Sequence, residues 1–168
     1  MSLLQNHTDA LTGLRQADKQ SLEAQFGAMP QTDGRVVGAL YNSDTESRKG
    51  VLARVNPAGI VAGLKIATTL TGAKGAVLIV RGEIDPQELL ADAGIVDLPL
   101  EVIEAPMVNK MLYKQDMLFH YDQLLSLSAR FLGEKPSVLL AVDDDQLAEY
   151  PPETPVQEIV GTCKGILC

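Results

Sequence analysis

PAGIVAGLKIATTLTGAKGAVLIVRGE, residues 57–83, decides the fold. Asn56 stands before it as a cap, and Pro57 takes the first helical position, where a missing N–H costs nothing. Ile60, Leu64, Ala67 and Leu70 recur at helical spacing. Gly72 supplies a left-handed stop. After a short turn, GAVLIVRG (75–82) is almost wholly apolar, as expected of a strand covered on both faces. A long helix that turns tightly into a buried strand is the crossover of a parallel sheet, and the hand expected of it is right-handed.

Upstream, RVVGALY (35–41) reads as the preceding strand and NSDTESRKG (42–50) as a polar loop directly after it. Residues 8–27 carry Leu11, Leu14, Ala17, Leu22 and Phe26 on one face and are expected to form one helix ended by Gly27. GAMPQTDG (27–34) is a turn-rich connector. Downstream, Asp85 and Pro86 open a helix over 86–93, and LEVIEA (100–105) is a strand. A helix is expected over 116–132, another buried strand over PSVLLAVD (136–143), and an acidic loop over DDDQLAEYPPE (143–153). TPVQEIVG (154–161) has the shape of a capping box. The chain thus reads as α/β: an open, mainly parallel sheet with helices on both faces. Three parts are expected: an N-terminal helix and connector (1–33), an α/β core (34–150) and a C-terminal segment (151–168). Ligands of such sheets bind outside the carboxyl ends of the strands. That rule points to the loop after 35–41, the Arg81-Gly82-Glu83 turn and the acidic loop after 136–143.

A chain of 168 residues suits one core, and 46% hydrophobic residues argue against disorder. The net charge of −8 repels phosphate backbones and anionic lipid, so neither nucleic acid nor a membrane surface is an expected partner. The longest apolar runs, GAVLIV (75–80) and SVLLAV (137–142), are far below the roughly 20 residues of a membrane helix. No apolar leader segment opens the sequence, and a cytoplasmic location is expected. Cys163 and Cys168 read as reduced thiols of the chain end, with a short-range disulfide as the alternative. A cysteine at the last position also raises the expectation of a longer parent chain. With His7 and His120 distant in sequence, these cysteines form no recognisable ligand set, so neither an iron–sulfur cluster nor another metal is expected. Asp143, Asp144 and Asp145 read as a solvated acidic turn, and His120, between Phe119 and Tyr121, as a helix-face residue. No Ser/His/Asp or Cys/His spacing points to a nucleophilic enzyme.

Gly63, Ile66, Ala67, Gly72, Ala73 and Gly75, then Val80, Arg81, Gly82 and Glu83, form a G-x-x-I-A helix, a G-A-x-x-G turn and a V-R-G-E strand end. This succession resembles the FMN- and NADH-binding subunit family of respiratory complex I (NADH dehydrogenase). That family includes the flavin subunits of NAD-linked hydrogenases and formate dehydrogenases. Its N-A-D-E loop is similar to Asn42-Ser43-Asp44-Thr45, with Glu46, Lys49 and Pro57 beyond. TPVQEIVG resembles the opening of the ubiquitin-like domain that follows the flavin domain. MVNKM (107–111) echoes a second flavin segment through Asn109. The resemblance implies a Rossmann-like flavin-domain architecture, with FMN and NADH as ligands and Asn42, Asp44, Glu46, Arg81, Glu83 and Asn109 as cofactor-binding residues. It also implies electron transfer with a partner redox subunit or a second copy of the chain, and, if the chain is an enzyme, a component of an NADH:acceptor oxidoreductase.

The chain departs from the family where phosphate is held. The family's glycine-rich G-R-G-G-A-G-F-P loop is replaced by GLRQADKQSLEAQFGAMP (13–30), and side chains there block the approach of backbone N–H groups to a phosphate. The G-E-E-T motif and the four cluster cysteines are absent from the sequence. Two functions stay open on this reading. One is a divergent electron-transfer domain with weakened or lost FMN and NADH binding; the other is a non-catalytic binding or assembly module that kept the fold.

Overall fold

The computed structural model describes residues 2–40, 50–82, 84–106, 108, 110–143 and 146–154. Helices α1 (Thr8–Leu14) and α2 (Lys19–Phe26) precede strand β1 (Val36–Ala39). Helix α3 (Val51–Val55) then leads into α4 (Pro57–Thr71), followed by β2 (Ala76–Val80), α5 (Pro86–Ile95) and β3 (Leu100–Glu104). A 3₁₀ turn (Lys110–Tyr113) comes next, then β4 (Met117–His120), α6 (Tyr121–Phe131), β5 (Val138–Asp143) and β6 (Gln146–Tyr150).

Four strands form a fully parallel sheet in the order β3-β2-β1-β4, flanked by helices. The α/β expectation therefore stands. The alternation of the strands sorts their side chains onto two buried faces. Val36, Leu40, Ala76, Leu78 and Val80 meet α1, α4, α5 and α6 on one side. Val37, Ala39, Val77 and Ile79 meet Val108 and Tyr113, the last residue of the 3₁₀ turn, on the other. This division follows from handedness. The steps β1→β2 and β2→β3 run one way along the sheet and place α4 and α5 on one face. The step β3→β4 runs back across it, so a right-handed connection must pass over the opposite face.

The centre of the fold is α4, whose residues are buried except Lys65 and Thr69, which are half-buried. Its start is built as expected: the Asn56 side chain accepts from Gly59 N at 2.8 Å, and Gly72 closes the helix in the left-handed region at φ 69°. Asn56 also ties down the chain's beginning. Its Oδ1 accepts from His7 N at 2.9 Å and its Nδ2 donates to the Leu3 carbonyl at 3.2 Å. The His7 ring is fully buried. Its Nε2 faces the Ser2 carbonyl at 2.8 Å and must donate, which leaves Nδ1 to accept from Ser128 Oγ at 2.8 Å. Burial lowers the pKa of this ring.

Four local expectations change. The helix expected over 8–27 is two helices, because Asp18 accepts from Ser21 N at 2.8 Å in a reciprocal capping box that starts α2 afresh. The helix expected over 116–132 begins at Tyr121, because Met117–His120 pair with β1 as the edge strand. Residues 136–143 do not join the parallel sheet: β5 pairs antiparallel with β6, which occupies part of the expected acidic loop. Helix α3 was not foreseen. Among the described residues, no helix is long and apolar enough to cross a membrane.

Candidate functional site

Across the carboxyl edge of the sheet, β3, β2, β1 and β4 end side by side. From β1 the chain crosses to β2 within the sheet, whereas from β4 it leaves through α6 to the separate β5–β6 pair. β1 delivers the chain to Asn42, Asp44 and Glu46, which lie outside the described residues, as do Glu83, Asn109, Asp144, Asp145, Cys163 and Cys168. Of the expected ligand contacts, Arg81 is described.

Arg81 follows β2, half-buried, and Gly82 turns the chain at φ 89°, a left-handed conformation that a side chain would strain. The register pairs Val80 with Glu104, so the ends of β2 and β3 are level. Arg81 and Gly82 from one strand end, and Glu104, Ala105 and Pro106 from the other, line an open cleft of about 420 Å³. It offers a guanidinium, a carboxylate, a glycine turn and a small apolar wall. Glu104 was not foreseen as a site residue, because strand adjacency is not written in local sequence.

At the other end of the edge, His120 closes β4 opposite Ala39 of β1 and caps α6. Its backbone N–H donates to Gln123 Oε1 at 2.7 Å. Its Nδ1 lies 2.5 Å from Asp122 Oδ1, a contact that requires Nδ1–H to donate to the carboxylate. The 3.4 Å contact from Asp122 N to the same nitrogen is then not a hydrogen bond. Asp122 thereby fixes the ring's tautomer and orientation. His120 is thus a capping residue at the strand end rather than a helix-face residue. The signal for this was present in sequence, as a Gln three positions after it.

A second cleft, about 430 Å³, opens at the amino ends of the strands, among Arg35, Lys74, Pro99 and Glu101. Arg35 there reaches Glu101 at 3.3 Å and Asp116 at 3.7 Å, and its backbone N–H donates to Asp116 at 2.8 Å. This arrangement ties the starts of three strands together at the amino edge of the sheet, opposite the carboxyl edge. Residues 13–30 hold the end of α1 and all of α2, and the N-terminus of α2 is capped by its own Asp18. It does not form an anion cradle. No group of three or more His, Cys, Asp or Glu among the described residues could hold a metal ion.

No protein-family model matches the chain, and no curated protein matches it in sequence. Solved structures do. NAD+-reducing [NiFe]-hydrogenase superposes in its air-oxidised state with a TM-score of 0.57 at 15% identity, over 94% of this chain and 38% of the hydrogenase chain. The H2-reduced state gives 0.57 at 14% identity over the same shares. At these identities the likeness is one of fold, and the chain spans 38% of the length of the structure it matches.

Proposed function

We propose that this chain is a divergent electron-transfer module of an NAD-linked redox system, which works with a partner redox subunit and binds FMN and NADH weakly. One observation carries the proposal. The segment whose motifs resemble the flavin-subunit family, residues 63–83, includes most of α4 and all of β2, at the centre of a fold that matches NAD+-reducing [NiFe]-hydrogenase over 94% of the chain. Sequence resemblance and fold likeness both point to NAD-linked oxidoreductases.

In this role Asn42, Asp44 and Glu46, which follow β1 in the chain, contact the flavin, together with Glu83 and Asn109. Arg81 marks the neighbouring strand end. The described carboxyl edge fits a ligand of mononucleotide size, since its cleft of about 420 Å³ lies within the range of small-molecule sites. FMN, when bound, supplies the hydride and electron chemistry, while the chain binds, orients and sets the electrostatics. In this proposal residues 34–150 are the ligand-bearing core, residues 1–33 pack on it through Leu3, Leu11, Leu14 and Leu22, and residues 151–168 open the following domain.

The self-capped α2 in place of a phosphate loop favours a second reading, a binding or assembly module that keeps the fold without the cofactor. Titrating FMN with the purified protein, followed by flavin fluorescence, separates the two. Saturable quenching in the micromolar range that Asn42→Ala or Asp44→Ala weakens supports the flavin module. Absence of quenching at high protein concentration leaves the assembly module.

A further inference from the structure

We infer that the outer face of α5 docks one helix of a partner protein, an amphipathic helix whose apolar seam is bordered by Lys or Arg. This deepens the partner-subunit reading above and rests on it for the partner's role in electron transfer, while the face itself is read from α5.

The helix is apolar on two sides. Leu89, Ala93 and Val96 are buried in the core. Gln87, Leu90, Ala91, Gly94 and Ile95 recur at i, i+3, i+4, i+7 and i+8, and all are exposed, Leu90 at 39% and Ile95 at 42%. That is the spacing of a packed helix face, set on the side where a surface helix is normally polar. Two aliphatic side chains flank the small residues Ala91 and Gly94. A Cβ built at Gly94 meets nothing within 4 Å, so a second backbone can come close there. With ten residues, α5 is about 15 Å long, a length that suits one helix rather than a broad surface.

Charge selects the occupant. Glu88 and Asp92 border the stripe, Asp85 caps the helix and Asp97 follows it. The sequence holds no Lys or Arg between Arg81 and Lys110. Burial, and then the charge of Glu88, raise the pKa of Asp92, as expected of a carboxylate with a like charge beside it. A second copy of the chain would set these carboxylates against one another, and an anionic membrane surface would be repelled as well. A helix with Lys or Arg along both borders of its seam meets them with opposite charge. The seam supplies the apolar contact, and the borders choose the partner.

Fluorescence anisotropy of labelled synthetic helices with the full chain tests this. The probes are peptides of about 18 residues, long enough to hold a helix. One has a Leu/Ala seam bordered by Lys, one has the same seam bordered by Glu, and one keeps the Lys borders with Gln in the seam. We expect the first to bind and the other two to bind about tenfold more weakly or less. Leu90→Gln with Ile95→Gln should weaken the first peptide about tenfold, since two aliphatic side chains lose their burial. Glu88→Lys, at an exposed position, should weaken the Lys-bordered peptide and strengthen the Glu-bordered one. This charge swap keeps the test decisive if the double variant alters folding, which circular dichroism reports. Equal binding of the Gln-seam peptide would reduce the effect to general attraction by an acidic chain and overturn the assignment. No binding at millimolar peptide, or binding that neither variant changes, overturns it too. So does a dimer in sedimentation equilibrium that Ile95→Gln disperses, because the occupant is then a second copy. FMN quenching on the same samples separates the two readings. FMN binding without peptide binding removes this face alone, and peptide binding without FMN binding keeps the face within the assembly module.

Discussion

Gly63→Ala tests the packing that positions the carboxyl edge. A Cβ at residue 63 would lie 2.6 Å from the carbonyl carbon of Leu124 and 2.7 Å from its Cα, and closer still to its carbonyl oxygen. Carbon atoms rest roughly 3.5–4.0 Å apart, so α4 and α6 would have to separate by about 1 Å. The obstacle is backbone, which has no rotamer to turn aside. Overpacking a core costs about 1–3 kcal/mol, and a backbone obstacle belongs at the upper end. The gain in helix propensity, about 1 kcal/mol, offsets part of this. The net loss is then about 2 kcal/mol, or a fall of about 4–8 °C in melting temperature for a chain of this size. Gly94→Ala is the matched control. Gly94 lies in α5, and an added Cβ there meets nothing within 4 Å. The same chemical change should therefore stabilise by about 0.5–1 kcal/mol. Thermal unfolding followed by circular dichroism reads both. A Gly63→Ala protein as stable as the parent would refute the close approach of α4 and α6.

Other consequences follow from the polar groups. Because burial lowers the His7 pKa, the unfolded state takes up a proton before the folded state does. Stability should hold above the ordinary histidine value of 6.5 and decline as pH falls below it, and urea midpoints should show a smaller decline in His7→Gln. Asp18→Ala removes the cap of α2 and should lower the urea midpoint. Tyr121→Phe deletes the 2.7 Å bond from its hydroxyl to the Ile79 carbonyl and leaves a buried acceptor, at a cost of about 1–3 kcal/mol in the same assay. Burial, and then the charge of Glu88, raise the pKa of Asp92, so its ionised form is disfavoured in the fold. Asp92→Asn should gain a few tenths of a kcal/mol near neutral pH, and the gain should vanish in acid below the ordinary aspartate value.

What the sequence made legible was local. Asn56, Pro57 and Gly72 mark α4 because caps and stops act within one helical turn. The apolar run 76–80 marks β2 because both its faces are covered. The run Met117–Phe119 was harder to read. It joins α6 without glycine or proline between them, and its strand character comes from pairing with β1, far away in sequence. Residues 138–143 carry the composition of a central strand, but composition names no partner, and theirs is β6. The break at Asp18 was hidden because the apolar spacing of Leu11, Leu14 and Leu22 runs through it. At the site, the strand-end rule located Arg81, whereas Glu104 emerges only once β3 is known to lie beside β2.

The central claim is that nucleotide ligands sit at the carboxyl edge of the sheet. Amide chemical-shift mapping of the labelled protein with FMN and NADH tests it most directly. The account predicts perturbations at Arg81, Gly82, Ala105 and His120, with Lys74 and Leu100 unmoved. Shifts confined to Arg35, Lys74 and Leu100 at the amino edge, or none with either ligand, would contradict it.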